Sequence, residues 1–389
     1  MSKLIGFIEN TEVLTLKGVK NIQDVEIGDV LVSQNNTLNT VTKIHKSSST
    51  DNLYQVDIHL PFDNLNNNIK SIVTVGEQKF YTIIKEDKNP KWRTINELIT
   101  VNNVFIGMPT YKHILYYSHN DPDDEEAKEW YLNHTIDRDY CILLGMFFIN
   151  GKFIENNGIE FNLSSKLSIL GNSRCGPNIS DLEFVERFIG SQLEVFPTVC
   201  ENTSDTLTKL VYMNQTVVDY FVDKLGPDNL IKTILSWTQN DIDNFITGLF
   251  TIKHDLSPYD PILYFNNHNT ANTLCHLFNS HSIGCSVHET KFCNKHHKII
   301  DKYNLDINDY KYHILLNHSF CFQKYQSNPN SPRFCKYNIK TIGHDDGKDS
   351  TFLNVEKIKK LSDETKYVYS LTLDNDNTYS VGGLVCKGF

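Results

Sequence analysis

The sequence predicts a mixed β and α+β fold: an all-β unit interrupted by an α+β insertion. Three observations lead there. Residues 7 to 110 carry short β-branched runs separated by turn signals, the pattern of an antiparallel sheet. From Asp139 helical and strand segments alternate, and they do so twice in a similar order. From about residue 350, "TFLNVEKIKKL" and "KYVYSLTL" return to short strands, so the last strands of the β-unit come only near the C-terminal end. The expected spans are 1–115 and 346–389 for the β-unit, 116–138 for an acidic linker and 139–345 for the insertion.

In the first span "TEVLTL" (11–16) reads as a strand, followed by a turn at Gly18 and by "VKNIQDVEIGDVLVS" (19–33). "TVTKIHK" (40–46), "LYQVDI" (53–58) and "SIVTV" (71–75) alternate as strands do. "KWRTINELI" (91–99) predicts a short helical turn and "NVFIGMP" (103–109) a last strand. "HNDPDDEEAKEW" (119–130) is an acidic run with a turn-forming proline, a solvated linker entering a helix.

The insertion begins with helix "YCILLGMFFING" (140–151), strand "IEFNL" (159–163) and helix "DLEFVERFIGSQL" (181–193). Strand "TKLVYM" (208–213) and helix "TVVDYFVDKLG" (216–226) complete the first pass. The second pass is helix "NDIDNFITGLFTI" (240–252), strand "PILYFNN" (261–267), helix "TANTLCHLFNSHSIG" (270–284) and strand "CSVHETK" (285–291). Two such passes predict an internal pseudo-twofold.

The composition is globular, 40% hydrophobic, 11% aromatic and 22% charged. A formal charge of −10 is a poor footprint for a protein that neutralises many phosphates. Nine cysteines stand at irregular spacing behind "MSKLIGFIEN", which has no apolar export segment. They are expected to be reduced thiols in a cytoplasmic or nuclear setting. No apolar run approaches the length of a membrane span, and a monomer is expected. The asparagine-rich runs "NNTLNT" and "NLNNNI" read as compositional bias in loops.

"NTEVLTLKGVKNIQDVEIGDVLVS" resembles the opening block of inteins and other Hint domains, and "YVYSLTLDNDNTYSVGGLV" resembles their closing block. The two lie in the order such a domain requires. Between them, "LLGMFFING" (143–151) and "ITGLFTIKH" (246–254) resemble the paired signature helices of LAGLIDADG homing endonucleases. The resemblance implies a Hint β-domain interrupted by a pseudo-twofold endonuclease-like domain. It further implies that Gly145 and Gly248 allow the two helices to pack closely at the twofold axis.

Carried over residue by residue, the resemblance also implies that the reactive groups are gone. The splicing nucleophile, a Cys or Ser in the family, falls on Gly6, which has no side chain to attack with. Ser2 is out of register with it. The block histidine that protonates the scissile amide falls on Gln78, whose amide exchanges no proton near neutral pH. Its neighbour Glu77 reads as an exposed strand-edge glutamate. The terminal His-Asn and the residue after it fall on Lys387, Gly388 and Phe389, so no carboxamide can cyclise and no downstream nucleophile follows. Cys386 stands where the family has an apolar strand residue.

The carboxylates that bridge divalent metal ions in the endonuclease family, usually Mg²⁺, fall on Asn150 and Lys253. Asn150 offers a carbonyl oxygen without charge, and Lys253 would repel the cation. Asp255 is the alternative ligand beside Asn150, although it reads more simply as the start of the turn "DLSPYD". No cofactor is expected, or Mg²⁺ if the nuclease is active.

Duplex DNA is the partner the family offers. Lys209, Lys291, Lys295 and Lys298 are the candidate contacts on a basic saddle, but residues 141 to 310 carry more Asp and Glu than Lys and Arg. "CNKHH" (293–297) with Cys321 and Cys335 has zinc-type ligands at no recognised spacing, and His268, His276 and His281 follow none either. Three functional readings stand: a degenerate intein-derived protein, a DNA-binding or DNA-cutting protein using non-standard residues, and a protein-interaction scaffold.

Overall fold

The computed structural model describes residues 5–34, 37–49, 52–59, 69–84, 86–87, 89–108, 138–154, 157–164, 180–202, 207–226, 229–249, 255–257, 260–281, 285–289, 312–316, 339–343, 349–361 and 366–389. These fall into two compact units. The first draws on Met1–Leu115, Asn267–His288 and Ile314–Phe389, the second on Tyr116–Asn266 and Glu289–His313.

The first unit is built on one 15-stranded sheet. Its strands are antiparallel and come from both ends of the chain. The short strand Phe7–Ile8 lies between Lys366–Leu373, with Phe7 opposite Tyr369 and Ile8 opposite Val368, and Ile69–Val75, with Phe7 opposite Thr74. Glu12–Thr15 runs beside Thr378–Val381, with Val13 opposite Val381. Leu384–Lys387 pairs with Lys79–Ile83 through Cys386 and Phe80. Phe105–Gly107 pairs with both Lys79–Ile83 and Asp349–Lys360, which links the first strand of the order to the last but one.

Period-two alternation explains the core. Leu53–His59 buries Tyr54, Val56 and Ile58 on one side. These meet Ile72, Leu371 and the aromatic trio Phe7, Phe80 and Tyr379. The Phe7 ring stands edge-on to Phe80 at 5.9 Å and to Tyr379 at 6.4 Å. The "LDNDNT" turn is held by its own side chains. The Asp374 carboxylate accepts from Thr40 N at 2.7 Å, and Asp376 accepts from the Asn39 amide at 2.6 Å. Asn375 and Asn377 take positive φ there, of 44° and 56°.

Helix His268–Ser280 also belongs to the first unit. Asn267 caps it by accepting from Asn269 N at 2.8 Å and Thr270 N at 3.3 Å. Its first turns receive the backbone N–H of Val19, at 3.1 Å on Asn269 Oδ1 and 3.2 Å on Thr273 Oγ1.

The second unit contains helices Arg138–Asn150 and Gln239–Leu249 packed against each other through glycine. A Cβ at Gly145 would overlap the Phe245 carbonyl oxygen and lie 2.9 Å from Gly248 Cα. A Cβ at Gly248 would overlap the Ile142 carbonyl oxygen and lie 3.0 Å from Gly145 Cα. Each glycine thus meets the carbonyl three residues before the other, which is a twofold relation at the level of single atoms. Strands Gly151–Ile154, Gly158–Ser164, Leu207–Tyr212 and Val199–Asn202 follow in that sheet order. Phe147 and Phe221 cover Phe161 from the helices, with ring centroids 5.2 and 5.7 Å from it.

The helices read from 140–151, 181–193, 216–226 and 240–252 appear as Arg138–Asn150, Asp181–Leu193, Gln215–Leu225 and Gln239–Leu249. The turn predicted at 91–99 divides into strand Lys91–Thr94 and helix Ile95–Leu98. Thr94 and Glu97 form the capping box that separates them. Asp255 opens strand Asp255–Ser257, opposite Ile262, rather than a turn. Strands Gly151–Ile154 and Val199–Asn202 and helix Leu230–Ser236 carried no sequence signal strong enough to be read. Among the described residues no helix is long and apolar enough to cross a membrane.

The glycine contact has a sharp consequence. Gly145→Ala or Gly248→Ala should cost about 3 kcal/mol or more, since backbone and not a movable side chain fills the space. Gly190→Ala, where the nearest neighbour is Phe196 at 4.0 Å, should instead stabilise by up to about 1 kcal/mol through helix propensity. Urea denaturation of the three variants checks both signs.

Candidate functional site

The residues singled out for splicing chemistry gather in the first unit, around the Phe7–Phe80–Tyr379 cluster. Gly6 is buried at φ +132, and a Cβ there would overlap the Tyr369 carbonyl oxygen and sit 2.8 Å from its carbonyl carbon. The position therefore excludes any side chain, by conformation and by room. The Gly6 carbonyl accepts from Thr74 Oγ1 at 2.7 Å and from Val75 N at 3.3 Å, both on strand Ile69–Val75.

Gln78 is fully buried and faces the other end of the chain. Its Nε2 donates to the Lys387 carbonyl at 2.8 Å and to the Lys79 carbonyl at 3.1 Å. Among the described residues, its Oε1 meets no donor. The structure thus brings Gln78 to the Lys387–Gly388 peptide. Glu77 lies in the preceding turn, where its carboxylate accepts from the Asn96 amide at 3.2 Å.

Gly388 is also crowded, without the positive φ of Gly6. A Cβ there would overlap Asn377 Oδ1 and lie 2.6 Å from the Leu371 carbonyl oxygen. Gly388 N donates to the Asn377 carbonyl at 2.7 Å, and Phe389 N to the Leu371 carbonyl at 2.9 Å. The Lys387 ammonium lies 5.8 Å from the Trp92 ring centroid. Cys386 is wholly buried, and its thiol donates to the Tyr379 carbonyl at 3.4 Å. Burial pushes that thiol well above its ordinary pKa, so Cys386 acts as a core residue.

In the second unit Asn150 ends the first central helix and is buried. Lys253 lies outside the described residues, as does the side chain of Asp255. Among the described residues no group of three or more His, Cys, Asp or Glu side chains could hold a metal ion. The donor present, a neutral amide, does not fit a cation that two carboxylates would bridge.

The open face of the four-stranded sheet carries Lys152, Glu160, Asn162 and Lys209. Glu160 takes both lysines, at 3.0 Å to Lys152 and 3.3 Å to Lys209. Burial alone would raise the Glu160 carboxyl, but Lys152, Asn162 and Lys209 hold it below the usual range. Glu201 stands opposite Lys209 in register. This half of the expected saddle is charge-balanced. Lys291, Lys295, Lys298, the zinc-type "CNKHH" run, Cys321, Cys335, Ser2 and the acidic linker lie outside the described residues.

A polar cluster that spacing could not reveal lies in the first unit. Glu12 Oε2 accepts from Lys70 Nζ at 2.7 Å, and Glu12 Oε1 from the Asn272 amide at 2.7 Å. Burial alone would raise the Glu12 carboxyl, yet Lys70, His276 and Asn272 bring it down to about 2. Burial, then Lys70, lower the His276 imidazole to about 4 against the opposing pull of Glu12. His268 and His276 line a cavity of about 300 Å³ beside this cluster. His281 is instead buried away from the cavity lining, with Nδ1 2.8 Å from the Leu277 carbonyl. Glu12 and Asn272, hydrogen-bonded in the cluster, lie 260 residues apart in the chain.

No family profile matches the sequence, and no curated relative matches it. Among solved structures the chain is similar to I-DmoI in complex with DNA and Ca, at 14% identity and a TM-score of 0.32, over 49% of this chain and 91% of that one. A structure of mesophilic variants from the homing endonuclease I-DmoI is similar at 13% identity and a TM-score of 0.33, over 49% and 97%. The gp41-1 intein is similar at 18% identity and a TM-score of 0.20, over 27% and 68%.

Gly6→Cys should destabilise the first unit by about 2–5 kcal/mol, from backbone strain and overlap together. Gly28→Ala, at φ +94 with no atom within 4 Å, isolates the strain and should cost only about 1–2 kcal/mol. Chemical denaturation separates the two.

The polar cluster sets a pH dependence. Both groups titrate lower when folded than their ordinary values of 6.5 for His276 and 4.5 for Glu12. The stability they confer is complete above those values and is lost on acidification, first from 6.5 towards about 4, then from 4.5 towards about 2. Melting temperature should fall across these windows, and His276→Gln should flatten the first. Thermal melts across a buffer series read this directly.

Proposed function

We propose that this chain is a degenerate intein-derived, homing-endonuclease-like protein. Its parts are a Hint-type β-domain and an inserted LAGLIDADG-type pseudo-twofold domain, in the order that resembles the vacuolar-ATPase inteins of yeasts. Neither self-splicing nor metal-dependent DNA cleavage operates in it. The observation that carries the reading is the closure at Gly6, where the Tyr369 carbonyl oxygen fills the space a nucleophile would need. Gly388 supports it through the backbone, because the Cβ of an asparagine there would lie 2.6 Å from the Leu371 carbonyl oxygen. Gln78 adds a third loss: it donates hydrogen bonds to the Lys387 and Lys79 carbonyls but has no proton to exchange near neutral pH.

On the endonuclease side, the reciprocal contact of Gly145 and Gly248 supports the helix pairing, while Asn150 supplies no charge for a metal ion. Duplex-DNA binding without cutting is the rival. The described sheet face disfavours it, since Lys152 and Lys209 both pair with Glu160 and Glu201 stands opposite Lys209, so these four charges cancel.

Flanking the chain with two reporter segments should return only full-length precursor on a denaturing gel; a ligated reporter product would overturn the splicing part. Incubation with a library of duplexes and Mg²⁺ should leave every duplex uncut. A salt-dependent gel shift with a steep slope would favour the DNA-binding rival.

A further inference from the structure

We infer that Cys275 and Cys285 form a disulfide site oxidised by small peroxides. Cys275 lies on helix His268–Ser280 and Cys285 begins strand Cys285–Glu289, both in the first unit. Their sulfurs are 3.3 Å apart. Each thiol also reaches the other's backbone: Cys275 Sγ donates to the Cys285 carbonyl at 3.4 Å, and Cys285 Sγ to the Cys275 carbonyl at 3.3 Å. This reciprocity keeps the sulfurs face to face.

Asn279, one turn beyond Cys275, clamps the strand in place. Its Oδ1 accepts from Cys285 N at 3.0 Å, and its Nδ2 donates to the Cys285 carbonyl at 3.1 Å. Forming the bond requires the sulfurs to close by about 1.3 Å, to a length of about 2.0 Å. Side-chain rotation supplies a movement of that size without shifting the helix.

The chemistry also has an entrance. Both cysteines line the cavity of about 300 Å³ beside the Glu12–Lys70 pair. Cys275 is 7% exposed and Cys285 0%, so an oxidant arriving through the cavity meets Cys275 first. The cavity suits hydrogen peroxide, which needs little more room than water. The Cys275 thiolate attacks one peroxide oxygen, the O–O bond breaks, and hydroxide leaves and takes up the thiol proton as water. Cys275 is then a sulfenic acid. The Cys285 sulfur attacks the Cys275 sulfur and expels hydroxide, which leaves as water with the Cys285 proton. In sum, two thiols and one hydrogen peroxide become one disulfide and two waters. Sulfur is oxidised and peroxide oxygen reduced.

The full-length protein, treated with hydrogen peroxide, alkylated after denaturation and peptide-mapped by mass spectrometry, tests the site. A crosslinked peptide joining Cys275 to Cys285, abolished by dithiothreitol, is expected. Cys285→Ser should lose the crosslink and leave a Cys275 sulfenic acid that a dione probe captures; Cys285→Ala serves if the serine variant does not fold. Recovery of both cysteines as alkylated thiols under conditions that oxidise the exposed Cys200 would overturn the proposal. So would pairing of Cys275 with any other cysteine.

Discussion

The first unit depends on the pairing of Phe7–Ile8 between Lys366–Leu373 and Ile69–Val75. That short strand brings the Phe7 ring against Phe80 and Tyr379, and it brings the backbone of Gly6 under the Tyr369 carbonyl. The same interaction therefore builds the core and leaves no room for a side chain at Gly6. The surrounding backbone requires a glycine there.

The second unit rests on a similar constraint with the opposite result. Gly145 and Gly248 let two helix backbones touch, and their mutual contact gives the pair its twofold relation. The aromatic layer of Phe147, Phe161 and Phe221 then covers the sheet next to the first helix. On the opposite face Glu160 gathers two lysines into a partly buried network. Lys209, which sequence inspection assigns to a partner, is thus paired with a neighbour within the fold.

Much of the fold was legible because it is written in local period. The central helices and the strands flanking them follow apolar spacing, and their ends fall within two or three residues of the expected positions. What was missed is short or exposed: Gly151–Ile154 buries none of its residues, and Val199–Asn202 is mostly exposed, so neither shows a periodic signal. Asparagine carried information that composition concealed. Six of the seven non-glycine residues described at positive φ are asparagines, at positions 10, 52, 103, 157, 375 and 377. Of the candidate site, Gly6 and Gly388 could be found by register, but the filled space around them could not. His276 could not be ranked above His268 or His281 either, because its partners Glu12 and Lys70 are distant in the chain.

The pairing of the two chain ends also bears on how the molecule is made. Glu9 and Tyr369, which share a hydrogen bond at 3.0 Å, are separated by 360 residues. During synthesis strand Phe7–Ile8 meets Ile69–Val75 early, but its other edge stays unpaired until Lys366–Leu373 has left the ribosome. So non-local a topology slows folding, because the entropy of closing the long loop is lost before the contacts that compensate for it are made.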